Sequence, residues 1–193
     1  MKLAVIVGST RQNRQTLKQA KWVLAEASKM DGVDAKLVDL KDFTLPFFGE
    51  PISPRYNPDR KIDEEVKPWL AALADADAFI FVTPEYNHSI PGVLKNAIDY
   101  LTSEMNHKPA TIVSHGSVGG ARAAVQLKEI LSESRAVVIP QQVAFLGLSE
   151  GVDDEGNLSA DLAANPYGPG AALKTALTEL KWYSDALAKA RNA

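Results

Sequence analysis

Hydroxyls, amides and cations crowd into three short stretches of this sequence, each directly after an apolar run. The first is Gly8-Ser9-Thr10-Arg11-Gln12-Asn13-Arg14-Gln15-Thr16. Its hydroxyls and two guanidinium groups precede a helical pattern, and free amides at a helix amino terminus favour an anion, as do arginine donors. The Gly-x-x-x-x-Gly-Lys-Ser/Thr spacing of a triphosphate loop does not occur here, nor does the Gly-x-Gly-x-x-Gly of a dinucleotide site. A phosphate monoester is therefore favoured. The plainer alternative is a capped helix with solvated arginines.

The second stretch is Thr83-Pro84-Glu85-Tyr86-Asn87-His88-Ser89, a run of hydrogen-bonding groups around one aromatic ring, stiffened by proline. A flat polar heterocycle suits it. The third is Ser114-His115-Gly116-Ser117-Val118-Gly119-Gly120-Ala121-Arg122, whose glycines let backbone amides approach a ligand without a side-chain clash. Each of these also fits an ordinary turn or cap. Three polar loops at one sheet edge fit a binding site better.

Other chemistries find little support. His88, His107 and His115 lack metal-ligand spacing, no Gly-x-Ser-x-Gly elbow is present, and Glu64-Glu65 and Asp153-Asp154-Glu155 read as solvated charges. The chain has no cysteine, which excludes disulfides, thiolate metal sites, iron–sulfur clusters and a cysteine nucleophile. Redox chemistry would then belong to a bound cofactor. No metal site and no obligatory catalytic side chain is expected.

The elements that must carry these loops follow from hydrophobic period. Lys2 to Val7 is an uninterrupted β-branched run, as expected for a strand buried on both faces. From Arg14 to Met30, Leu17, Ala20, Val23, Leu24 and Ala27 recur at helical spacing, and Val33 to Leu40 gives a second strand. Leu45 to Pro58, with prolines and Phe47, Phe48 and Tyr56 at no period, reads as a long ordered loop. A helix over Asp59 to Ala74 must bend at Pro68, a strand over Ala78 to Val82 follows, and Ile90 to Leu101 is helical with Ser89 as its cap. A strand over Pro109 to Ser114, a helix over Ala121 to Leu131, a fifth strand over Ala136 to Phe145 and a helix over Ala171 to Ala188 complete the pattern. Pro140 would lie at the exposed end of that fifth strand, and Ser149 to Pro169 reads as a mobile surface connection.

Strands alternating with helices predict an α/β fold: one open, five-stranded parallel sheet with helices on both faces. Ligands bind such sheets outside the carboxyl ends of the strands, where strand order reverses. All 193 residues fit a single domain, residues 1–193. A net charge of −3 offers no basic field for nucleic acid, and Leu3 to Val7 is too short to span a membrane. The expectation is a cytoplasmic protein without nucleic-acid or membrane partners.

Gly8-Ser9-Thr10-Arg11, Pro84-Glu85-Tyr86-Asn87, Pro91 with Leu94-Lys95-Asn96-Ala97-Ile98-Asp99-Tyr100, Ser114-x-Gly116 and Gly119-Gly120-x-Arg122 together resemble the NADPH-dependent FMN reductase family. The resemblance spans Lys2 to Phe145. It implies a flavodoxin-like three-layer sandwich that binds FMN and passes electrons from NADPH or NADH to quinones, free flavin or other small-molecule acceptors. A flavodoxin-type electron carrier is the alternative. Carried over block by block, it implies Ser9, Arg11 and Thr16 around the phosphate with Arg14 nearby, and Pro84, Glu85, Tyr86 and Asn87 along the isoalloxazine edge. Ser114, Gly116, Gly119 and Gly120 would face its pyrimidine side. The chain carries Thr16 and Leu17 where many relatives have Ser or Gly, and then Asn. Homodimers or homotetramers are implied as well, with Phe47, Phe48 and Tyr56 as contributors to the interface.

Overall fold

A computed structural model describes residues 1–147 and 151–193. Strands β1 (Lys2–Val7), β2 (Asp34–Asp39), β3 (Ala78–Pro84) and β4 (Pro109–Gly116) pair in parallel in the order β2-β1-β3-β4. Consecutive residues of β1 and β3 point to opposite faces, and both faces are covered, so the two strands are buried along almost their whole length. The fifth position is split. β5 (Val137–Val138) pairs with the start of β4, and β6 (Val143–Leu146) with its end. Pro140 therefore interrupts this strand and does not sit at its end, because proline has no N–H to give the ladder. Thr111 Oγ1 instead donates to the Gln141 carbonyl at 2.6 Å across the gap.

One face of the sheet packs on α1 (Gln15–Ala27) and α6 (Pro169–Arg191), through Trp22, Val23, Leu173, Leu177 and Leu180. The other packs on α2 (Lys67–Ala74), α3 (Gly92–Asp99) and α4 (Ala121–Glu133), through Trp69, Leu73, Leu94, Leu127 and Leu131. Phe79 and Phe81 are wholly buried on this second face, and each contributes roughly 2–3 kcal/mol relative to exposure. The three-layer expectation is met.

Local differences have local causes. The helix expected from Asp59 begins only at Lys67, so Pro68 falls in its first turn, where no intrahelical acceptor awaits an N–H. No bend is needed. Ser89 does not cap α3, whose cap position is Pro91; Ser89 Oγ bonds Gln126 Oε1 at 2.6 Å instead. The connection expected to be a mobile surface segment runs partly through residues 149 and 150, outside the described residues; over 151–168 most residues are exposed, as a surface connection requires. It contains α5 (Ala160–Ala164), and Val152 in it is buried. Gly156, at φ +91°, lies so close to α1 that a β-carbon there would stand 2.8 Å from Lys21 Cβ.

Polar brackets hold the long loop. Asn96, from the Leu-Lys-Asn-Ala-Ile-Asp block, accepts from the Phe48 amide at 2.8 Å and donates to the Pro46 carbonyl at 2.7 Å. Arg60, buried, reaches Glu50, Thr102 Oγ1 and the Tyr100 carbonyl together. Phe48 packs edge-on against Tyr100, whereas Phe47 and Tyr56 remain exposed. Among the described residues no helix is long and apolar enough to cross a membrane.

Candidate functional site

Strand order reverses between β1 and β3, whose connections leave in opposite directions across the sheet. A cleft of about 470 Å³ opens at their carboxyl ends, lined by residues 11–16, Gln19, Pro84 to Tyr86, His115, Gly116 and Gly147. That volume falls in the usual range for cofactor sites. All three polar stretches meet here.

The turn after β1 leads into α1 with Arg14 at the cap position, and no side chain caps this helix. The Gln15 and Thr16 amides therefore have no acceptor among the described residues, and no acidic group lies in the first turn. Arg11 Cζ sits 5.6 Å from the centroid of the Tyr86 ring, and its guanidinium makes no ion pair among the described residues. An open helix terminus beside a cation favours an anion. Arg14 is placed differently from Arg11: it lines the cleft, but its guanidinium is ion-paired to Asp39 at the end of β2, with 6% and 12% of the two side chains exposed.

Ser9 lies beneath the cleft. Its Oγ accepts from the Arg11 amide at 3.4 Å and stands 2.9 Å from the Tyr86 hydroxyl, which ties the first polar stretch to the second. Tyr86 and Ser89 bond each other's backbones at 2.8 and 3.0 Å around Asn87 and His88, which adopt φ of 50° and 67°. Two successive positive φ values define a type I′ turn, which asparagine tolerates and histidine less so. Asn87 thus shapes the loop and does not line the cleft.

Glu85 also serves the scaffold. Its carboxylate accepts from the Arg122 amide at 3.0 Å and from the Arg122 guanidinium at 2.5 Å, capping the amino terminus of α4 from another element. Burial pushes its pKa up, but the bonds from Arg122 and the Ala123 amide outweigh that and hold the carboxyl below its ordinary value. Ser114, Gly119 and Gly120 form the inner hinge of the third stretch, with Ser114 Oγ donating to the Gly119 carbonyl at 2.7 Å. Gly120 has φ +71°, and a β-carbon there would lie 2.8 Å from the His115 nitrogen. Of that group only Gly116 lines the cleft.

Two side chains that were given no binding role from the sequence join the site, Gln19 and His115. Thr16 and Gln19 lie one turn apart on α1 and are both buried, and the Gln19 Oε1 has no hydrogen-bond partner among the described residues. His115 Nε2 is 3.1 Å from Thr16 Oγ1, and burial pushes the ring down to about 4 from its ordinary 6.5. The signal for Gln19 was present: a polar residue three positions after Thr16 interrupts the buried stripe of α1. Among the described residues no cluster of three or more His, Cys, Asp or Glu is placed to hold a metal ion.

The residues present suit FMN on two counts: the open amides of α1 and Arg11 could hold a phosphate monoester, and the orphaned Gln19 oxygen offers an acceptor to a ribityl hydroxyl.

Comparison with known proteins agrees. The family model described as NADPH-dependent FMN reductase matches residues 1–148. An NAD(P)H-dependent FMN reductase of Schizosaccharomyces pombe is 40% identical over 144 residues, 75% of this chain and 72% of that protein. A 2-hydroxy-1,4-benzoquinone reductase of a Burkholderia species is 32% identical over 171 residues, 83% of this chain and 87% of that one. Among solved structures, the flavoenzyme NAD(P)H:(acceptor) oxidoreductase FerB of Paracoccus denitrificans superposes with a TM-score of 0.71 at 25% identity, covering 97% of each chain. With the sheet order, the cleft and the matched residues in agreement, the chain belongs to the NADPH-dependent FMN reductase family.

Proposed function

We propose that the cleft at the β1/β3 switch point holds FMN and that the enzyme passes electrons from NADPH or NADH to small-molecule acceptors, quinones foremost. The observation that carries the site is the uncapped amino terminus of α1 beside Arg11, whose guanidinium makes no ion pair among the described residues. The Burkholderia quinone reductase, similar along most of both chains, supports the choice of acceptor. Bound FMN supplies hydride acceptance and its onward transfer.

The chain's own residues bind and orient. Arg11 and the amides of Gln15 and Thr16 neutralise the phosphate, and Ser9 holds the Arg11 turn through its amide and through Tyr86. Pro84 to Tyr86, with Glu85 locking that loop to α4, and Gly116 line the cleft and would hold the flavin ring. Asn87, Ser114, Gly119 and Gly120 act by fixing those loops. No side chain is required as an obligatory acid or base.

The direct test is the visible spectrum of the purified protein supplied with FMN. A flavin spectrum bleached anaerobically by NADPH or NADH and restored by a quinone is expected; a protein that stays colourless overturns the reading. Flavin bleached only by a protein donor would mark an electron carrier. Arg11→Ala should raise the FMN Kd about 30-fold, the scale of one charge-assisted contact to phosphate, while riboflavin affinity changes little. Isothermal titration with the two flavins checks this.

A homodimer or homotetramer belongs to the same reading, and the exposed Phe47 and Tyr56 offer apolar surface for it. Light scattering that gives a single 20.9 kDa species removes this part. A single domain over residues 1–193 and a cytoplasmic setting complete the proposal, tested by limited proteolysis and by cell fractionation.

A further inference from the structure

The buried Thr16 hydroxyl has one proton to place. Elsewhere in the helices, Ser28, Ser132, Ser134, Thr175 and Thr178 donate to the carbonyl four residues back. Thr16 does not, because it stands in the first turn of α1, where the residue four back lies outside the helix. Its single hydrogen-bond partner among the described residues is His115 Nε2, at 3.1 Å. Before FMN binds, a buried hydroxyl left without an acceptor is unfavourable, so the threonine proton goes to the imidazole.

That choice fixes the ring. A neutral imidazole has one donor and one acceptor, and burial keeps this ring neutral. With Nε2 accepting, the proton must reside on Nδ1. Among the described residues the His115 Nδ1 has no hydrogen-bond partner, and it is not among their buried unpaired atoms, so it reaches the cleft that His115 lines.

We infer that Thr16 locks His115 in its Nδ1–H tautomer, which turns His115 into a neutral hydrogen-bond donor to an oxygen of the flavin held in the cleft. The inference rests on the FMN reading above. It makes Thr16 a positioning residue acting through His115, and gives the cleft a donor that adds no charge.

Nitrogen-15 spectra of histidine-labelled, FMN-loaded protein read the tautomer directly. An Nδ1–H ring whose proton resonance moves when FMN is added is expected, and an Nε2–H ring overturns the inference. His115→Phe should weaken FMN binding about tenfold, the scale of one hydrogen bond. His115→Asn, whose amide nitrogen occupies the Nδ1 position, should restore most of it, and Thr16→Val should release the tautomer and cost a smaller factor. Unchanged affinity in folded His115→Phe protein also overturns the inference. Should that variant not fold, the spectrum of the natural protein decides. A natural protein that takes up no FMN instead brings down the cofactor reading itself, a result distinct from FMN uptake with the wrong tautomer.

Discussion

Asp39→Ala is expected to lower the unfolding free energy by about 3–5 kcal/mol, the usual effect of stranding one member of a buried ion pair. Arg14 and Asp39 keep only 6% and 12% of their side-chain surface in water, and the Arg14 Nε already lacks a partner. Removing the carboxylate leaves a guanidinium that cannot be neutralised, because arginine does not give up its proton at any working pH. Asp39 also accepts from the Lys41 amide at 3.0 Å, which starts the 3₁₀ turn at Leu40–Asp42. Asp39→Asn keeps that acceptor and should lose less.

The functional corollary is more telling. Arg14 lines the cleft, so a stranded charge there gains a counter-ion when a phosphate monoester binds. FMN should therefore raise the midpoint of thermal unfolding more in Asp39→Ala than in the natural protein, by the ordinary linkage of binding to folding. Replacing Arg14 with methionine in the same background should recover most of the lost stability, since a buried pair exchanged for apolar groups is often neutral. Urea unfolding of the three proteins, with and without FMN, checks this. A loss below about 1 kcal/mol would show that the pair is solvated and of the surface kind.

The same pair shows how far a sequence can be read. Both arginines of Gly8 to Thr16 carry equal weight in a motif, yet one lies over the Tyr86 ring and the other is paired with an aspartate 25 residues away. Local pattern cannot separate them, because the partner comes from the end of a different strand. β1 and β3 were legible because burial on both faces demands an unbroken apolar run. Strand alternation gave the parallel sheet and its ligand-binding edge, whereas the strand order that places the reversal between β1 and β3 came from the structure. Pro140 was visible as a disruption, but whether it ends a strand or splits one depends on pairing with β4. The brackets made by Asn96 and Arg60 were hidden for the same reason as Asp39, spanning 40 residues or more. Glu85 belonged to the right loop for a reason that the motif could not give, since its carboxylate caps α4.

Lowering the pH should cost this protein about 3 kcal/mol of stability through His115 alone, and the window identifies the group. Burial holds the folded ring near 4, below the 6.5 of an exposed imidazole. Between those values the unfolded chain carries a proton that the folded chain refuses, so stability falls as pH drops from about 6.5 to about 4 and then levels off. The structure gives the refusal a local cause: a proton on Nε2 would face the Thr16 hydroxyl, whose own hydrogen has no other acceptor among the described residues. Glu85 acts with the same sign in a lower window. Its depressed carboxyl stabilises the fold above its ordinary 4.5 and loses that contribution only below it. His115→Asn cannot titrate here, so the difference between its urea-unfolding curve and that of the natural protein, both freed of flavin, isolates the histidine. A gap that narrows by about 3 kcal/mol between pH 7.5 and pH 4 is expected, and parallel curves would mean that the ring is open to water and free to protonate.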